Sequence, residues 1–235
     1  MHSLLKKLPF IRKVYIYIKN VFRLYATKSF SQEGEDLLLK RIFEHKKNGF
    51  YIDVGAHHPF RFSNTYLFYK KGWKGINLDA MPNSMKIFEK YRPRDINLEI
   101  PVGKDGEKLV YYIFNEPALN TFDKNRIEAI VSKSVYTLIR EMEIQIRSLK
   151  SILDEYLPKG QNIDFMSIDV EGLDFEVLKS NDWKKYRPEI LLVESLGGGG
   201  GIDDFIKSEI YLFLQDQDYQ LFAKTFNTFF LKNKR

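Results

Sequence analysis

A chain of 235 residues, 44% of them hydrophobic, supports one large domain with a buried core and excludes a disordered chain or a peptide-sized module. The absence of cysteine excludes a disulfide scaffold, a thiolate metal site and a cysteine nucleophile, and suits a reducing, cytoplasmic setting. The formal charge of +6 is unevenly spread: residues 1–28 carry seven Lys/Arg and no Asp/Glu, against 30 basic and 31 acidic residues in the remainder, so no nucleic-acid partner is expected.

The same asymmetry divides the chain into a basic segment, 1–28, and a domain, 29–235. Residues 3–26 interrupt short apolar clusters with Lys6, Lys7, Arg12, Lys13, Lys19 and Arg23, so no run approaches the ~20 residues a membrane span needs. A signal peptide is not expected either, for want of an unbroken apolar region and a small-residue cleavage site. Two readings of the segment stand. It is a basic helix packing its Leu, Ile and Tyr side chains on the domain or on a second subunit, or it lies in the membrane interface with its cations facing anionic lipid.

From residue 30 onward, apolar strands alternate with helices. Strands are predicted at 49–56, 74–80, 96–102, 108–114, 142–149, 162–170 and 189–195. Helices are expected at 63–71, 83–91, 151–157, 172–180 and 203–215, with a polar helical insert around 123–140. Two last strands, 219–225 and 227–232, are joined by a tight turn. This order predicts a doubly wound, Rossmann-like α/β domain: a mostly parallel sheet covered on both faces, closed by a C-terminal antiparallel hairpin. Five consecutive glycines, 197–201, read as a mobile loop.

Ligands of such sheets bind at the carboxyl ends of the strands. After the first strand comes Asp53-Val54-Gly55-Ala56-His57-His58-Pro59, where Gly55 lets the backbone approach a ligand. The full G-x-G-x-x-G of a pyrophosphate site is missing. Asp79 follows the second strand, 24 residues beyond Gly55, about the offset at which an acid meets ribose hydroxyls. One glycine corner plus one acid suits a nucleoside without phosphates, and S-adenosylmethionine is the expected cofactor. Taken singly, the glycine is a turn and the acid a helix cap.

FSQEGED (30–36), FYIDVGAHHPFRFSNTYLFYKKGWKGINLDAMP (50–82), LNTF (119–122), IDFMSIDVEGLDFEVL (163–178), RPEILLVES (187–195) and NTFF (227–230) together resemble the FkbM family of S-adenosylmethionine-dependent methyltransferases. The resemblance spans roughly residues 29–232. It implies O-methyl transfer to a hydroxyl of a sugar or glycan (nucleotide-sugar, polysaccharide or glycolipid). It also implies that Asp53, Gly55 and Asp79 contact the cofactor, with Gln32, His57 and Ser63 nearby and Val102 and Gly103 near the adenine. The polyglycine run departs from the family pattern where a loop over the acceptor is expected.

Methyl transfer from a sulfonium is an in-line displacement, so alignment supplies much of the acceleration and a base must take the hydroxyl proton. Asp169 and Glu171 are the expected catalytic carboxylates, with Asp174 close by. Alternation along the strand end points the first two to one side. They act as a base or hold a divalent cation with His57 or His58; the metal-free route is the expected one. The plainer reading has Asp169 orienting a loop and Glu171 capping the helix that begins near 172. His58 is assigned to the acceptor side and His57 to the cofactor side. Phe60, Phe62, Tyr66, Phe68, Tyr69 and Trp73 read as helix and core packing. A serine hydrolase is excluded for want of G-x-S-x-G. The alternatives kept are a noncatalytic cofactor- or glycan-binding member of the fold and a membrane-surface adaptor.

Overall fold

The computed structural model describes residues 9–22, 25–133, 135–194 and 201–235. The start of the basic segment lies outside them, as does the polyglycine run apart from Gly201. The described residues begin with helix α1 (Pro9–Val21) and continue α2 (Glu35–Ile42), β1 (Phe50–Val54), α3 (Tyr66–Lys70), β2 (Lys74–Asp79), α4 (Met85–Tyr91), β3 (Ile96–Glu99) and β4 (Lys108–Phe114). A 3₁₀ turn, Pro117–Leu119, leads to α5 (Arg126–Val131), β5 (Leu138–Gln145), α6 (Leu149–Tyr156), β6 (Phe165–Ile168), α7 (Asp174–Lys179) and β7 (Ile190–Glu194). Helices α8 (Ile202–Phe205) and α9 (Glu209–Asp216) precede the hairpin of β8 (Tyr219–Lys224) and β9 (Thr228–Asn233).

Seven strands form one sheet in the order β3-β2-β1-β6-β7-β9-β8. The first five run parallel, and β9 is antiparallel to both of its neighbours. This is the expected doubly wound sheet with its terminal hairpin. The chain leaves β1 for β2 and β3 on one side and returns through β6 and β7 on the other, so the switch point lies between β1 and β6.

Side-chain alternation explains why both faces are covered. Ile52 and Val54, Met166 and Ile168, and Leu191 and Val193 pack beneath α6, α7 and α9. Tyr51, Phe165, Ile190 and Leu192 project to the opposite face, under Leu39 of α2 and Phe68 of α3. Phe165 meets the Phe68 ring at 4.9 Å and the Tyr51 ring at 5.6 Å. Burying one such ring stabilises the fold by roughly 1.5–3 kcal/mol. Rigid strand ends at the switch point follow.

Strands β4 and β5 pair with each other outside the main sheet. Helix occupies only Arg126–Val131 of the insert expected to be helical over 123–140, and Leu138 onward is strand. The reason is a small local core in which Tyr112, Phe114 and Ile130 pack with Leu138. Along β5, Met142 and Ile144 are half-buried while Glu141, Glu143 and Gln145 are exposed, the period-two pattern of a ribbon with one covered side. Helix α1 exists, but it does not lay its apolar side chains on the domain: Phe10 is 77% exposed and Tyr17 69%.

Candidate active site

A cleft opens at the carboxyl ends of β1, β2 and β6. Val54 and Gly55, Leu78 and Asp79, and Asp169, Val170 and Glu171 line its floor. Tyr111 of β4, with Asn120 and Phe122 of the segment that follows it, roofs the cleft. Its cavity volume is about 120 Å³, and it opens to solvent.

The glycine corner has φ +85°, and its N–H and that of Ala56 both donate to Leu78 O at 2.9 Å. What most demands glycine here is the protein itself. A Cβ on Gly55 would lie 1.7 Å from the Asp169 carbonyl oxygen, so the corner lets β1 and the end of β6 close together. Beside it, the buried Asp79 accepts the His57 N–H on Oδ2 at 2.8 Å and the Met81 N–H on Oδ1 at 2.7 Å. Burial pushes its pKa up, and these bonds oppose the rise. The Ser84 hydroxyl also bears on this carboxylate, whose remaining lone pairs can accept a ligand hydroxyl.

Asp53 and Ser63 do not line the cleft. Both are buried in a polar network around Arg92, whose side chain has no exposure. Arg92 donates to Asp95 at 2.9 Å, to Tyr51 Oη at 2.9 Å, to Thr65 Oγ1 at 3.0 Å and to Ser63 Oγ at 3.4 Å. Asp53 accepts from Thr65 Oγ1 at 2.6 Å, and burial raises its pKa against the pull of Arg92. These partners make a buried guanidinium tolerable and brace β1 and the loop after it.

Gln32, His57 and Val102 line the cleft, whereas Gly103 lines a neighbouring one. Gln32 is presented by a tied loop. Asp36 accepts from Ser29 Oγ at 2.7 Å and from the Phe30 N–H at 2.8 Å, while Glu33 and Glu35 accept from the Asn227 N–H at 2.8 Å and Thr225 Oγ1 at 2.6 Å. The 30–36 and 227–230 motifs are thus one assembly. His57 stands at φ +53° with Nε2 buried and unpartnered among the described residues. Burial, then the charge of Arg61, lowers its pKa and keeps the ring neutral at pH 7. His58 turns back on its own loop: Nδ1 accepts the Arg61 N–H at 3.1 Å and the Phe60 N–H at 3.3 Å. It does not join the acids.

Asp169 and Glu171 do come together, with Glu194 from the end of β7. One carboxylate oxygen from each lies within 4.8 Å of the others. Strand alternation is not the cause, because β6 ends at Ile168; a left-handed turn at Glu171, φ +55°, brings its side chain in. Burial, then the charges of Glu194 and Glu171, drives the Asp169 pKa well above the carboxylate range. Burial also raises Glu171, opposed by Arg126, which donates to its Oε2. Glu171 caps no helix. Asp174, at the start of α7, accepts the Val170 and Gly172 N–H groups at 3.2 and 3.3 Å, and burial lifts its pKa to about 7. Among the described residues this trio is the one group of three acids or histidines close enough to hold a cation.

Several cleft residues were not legible in sequence. Glu194 satisfies the rule that selected Asp79, an acid at the carboxyl end of a buried strand, and that rule applied to β7 finds it. Tyr111 on β4, Phe122 after it and Arg126 on α5 carried no such signal. Thr121 of the LNTF motif donates to the Glu171 carbonyl at 2.6 Å, which ties the roof to the floor, and Asn120 accepts the Phe114 N–H at 2.8 Å within the roof. Phe62, expected in a helix, instead lies in the left-handed region at the cleft wall, 44% exposed, because α3 starts only at Tyr66. Its ring stacks near His57, with centroids 6.3 Å apart.

The model of the FkbM methyltransferase domain matches residues 53–221. No curated protein matches the chain. Among solved structures, a TehB-like SAM-dependent methyltransferase from Corynebacterium glutamicum is similar at 11% identity and TM-score 0.45, covering 97% of this chain and 100% of its own. Precorrin-6y C5,15-methyltransferase from Geobacter metallireducens is similar at 12% identity and TM-score 0.41, covering 88% of this chain and 90% of its own.

Proposed function

The chain belongs to the FkbM methyltransferase family, and on that premise we propose that it methylates a hydroxyl oxygen of a sugar or glycan. Methyl transfer from S-adenosylmethionine follows from the family. The cleft fits that donor. Asp79 keeps lone pairs for ribose hydroxyls, Leu78, Met81, Ile100 and Val102 offer apolar walls, and His57 Nε2 is an orphaned polar atom awaiting a partner. Bound there, S-adenosylmethionine supplies a sulfonium methyl open to in-line attack.

The observation that carries oxygen methylation is the convergence of Asp169 and Glu171, which line the cleft, with Glu194. As the new O–CH₃ bond forms and the S–CH₃ bond breaks, the hydroxyl proton passes to a carboxylate of this group. Burial raises the proton affinity of Asp169 and Glu171 above that of an ordinary carboxylate, which strengthens a general base. The anionic cluster also favours a cationic sulfonium nearby. The sugar assignment draws on the family resemblance and on the exposed ring of Phe62 at the cleft wall. A mass-spectrometric screen of nucleotide-sugars, oligosaccharides and glycolipids with S-adenosylmethionine tests it. A gain of one methyl on a hydroxyl is expected; methylation confined to nitrogen or carbon acceptors overturns it.

A further inference from the structure

Helix α1 is amphipathic to a degree that the folded domain does not use. At 100° per residue, Phe10, Ile11, Val14, Tyr17, Ile18, Val21 and Phe22 fall in one broad arc. Every one of them is exposed, from 42% at Val14 to 77% at Phe10. Arg12 and Lys13 fall outside that arc, and no helix among the described residues is long and apolar enough to cross a membrane. An aromatic and aliphatic face of this extent needs a partner.

Charge decides which one. Residues 1–28 hold seven Lys/Arg and no acid. Packing two copies of this helix face to face brings two wholly cationic segments together with no carboxylate between them. An anionic lipid surface satisfies both sides of the helix at once: the aromatic arc enters the headgroup region and the cations meet lipid phosphates. We infer that α1 docks the protein on the surface of an anionic bilayer, lying in its plane. This holds whatever the methyl acceptor is.

Co-sedimentation of the full chain with vesicles tests the inference. Vesicles of phosphatidylcholine mixed with phosphatidylglycerol should bind at least about tenfold more tightly than phosphatidylcholine alone, since each cation near the surface adds attraction. High salt should weaken this preference. A Phe10→Asp, Val21→Asp variant should lose vesicle binding. An Arg12→Glu, Lys13→Glu variant should keep the apolar face but lose the anionic preference. Equal binding to both vesicle types, binding that survives Phe10→Asp, Val21→Asp, or no vesicle binding overturns the inference. So does a dimer in sedimentation velocity that Phe10→Asp, Val21→Asp dissociates while wild type ignores vesicles.

Discussion

The Asp169 carbonyl oxygen stands 1.7 Å from where a β-carbon on Gly55 would lie. A side chain at 55 and the closure of β1 against the end of β6 therefore exclude each other. Because Asp169 is also a member of the acidic group, the glycine corner places the acids as well as the floor of the cleft.

Gly55→Ala should therefore be severe. The left-handed conformation alone costs on the order of 1–3 kcal/mol, and a backbone clash cannot be relieved by a rotamer change. Gly106, at φ +75° with nothing near its would-be Cβ, separates the two effects. Gly106→Ala should lower the melting temperature modestly, whereas Gly55→Ala should lower it further and weaken S-adenosylmethionine binding. Equal effects of the two substitutions would contradict the steric account.

Asp79 is expected to act twice, holding the His57 and Met81 N–H groups and receiving ribose hydroxyls. Asp79→Ala removes charge-assisted bonds worth about 1.5–3 kcal/mol each, so affinity for S-adenosylmethionine should drop at least roughly tenfold. Asp79→Asn, which keeps one acceptor oxygen, should fall between. Titration calorimetry reads both, and unchanged affinity in a folded Asp79→Ala protein rules the ribose role out.

Much of this fold was legible because strand-length apolar runs end in an acid or a glycine. FYIDVG, GINLDA and MSIDV announce β1, β2 and β6 and the residues just after them. The β4–β5 ribbon was half legible: its strands have the right period, but nothing local says that they pair apart from the main sheet. Burial direction was less legible still. Asp53 and Asp79 look alike in sequence, each closing an apolar run, yet one faces Arg92 and the other the cleft. Contacts such as Arg126 with Glu171 join residues 45 apart across the insert, a distance over which helix and strand periods carry no information.

If the acids serve as a base, Asp169→Asn and Glu171→Gln should depress methyl transfer far more than donor affinity, since only transition-state interactions are lost. Chelators should leave turnover unchanged. If instead Asp169, Glu171 and Glu194 hold a divalent cation, chelation should abolish turnover and Mg²⁺ or Mn²⁺ restore it. The Arg126 charge beside Glu171 already offsets one carboxylate, which favours the metal-free outcome.

If Glu171 is the base, Arg126 should also set the working pH. Its charge opposes the burial that raises Glu171, so Arg126→Leu should raise the Glu171 pKa further. A base must be ionised to act, and the acid limb of the kcat profile should move to higher pH in the variant. Arg126→Lys should restore much of the shift. A profile that only drops in height, without moving, would falsify this coupling.

Asp174 makes the stability of the domain depend on pH in the direction opposite to a salt-bridged carboxylate. Burial raises its pKa from the ordinary 3.8 to about 7, so the folded state holds a proton that the unfolded chain has released. Its contribution to stability is full below pH ~4 and is lost as pH rises through about 7, by an amount on the order of a few kcal/mol at ~1.4 kcal/mol per unit. Asp174→Asn cannot titrate, yet it retains one oxygen for the Val170 or Gly172 N–H. Urea unfolding at pH 5 and pH 8 should show wild type losing more stability than Asp174→Asn between the two. Parallel losses in both proteins would mean that Asp174 is ionised in the folded state at both pH values, with the two N–H groups outweighing its burial.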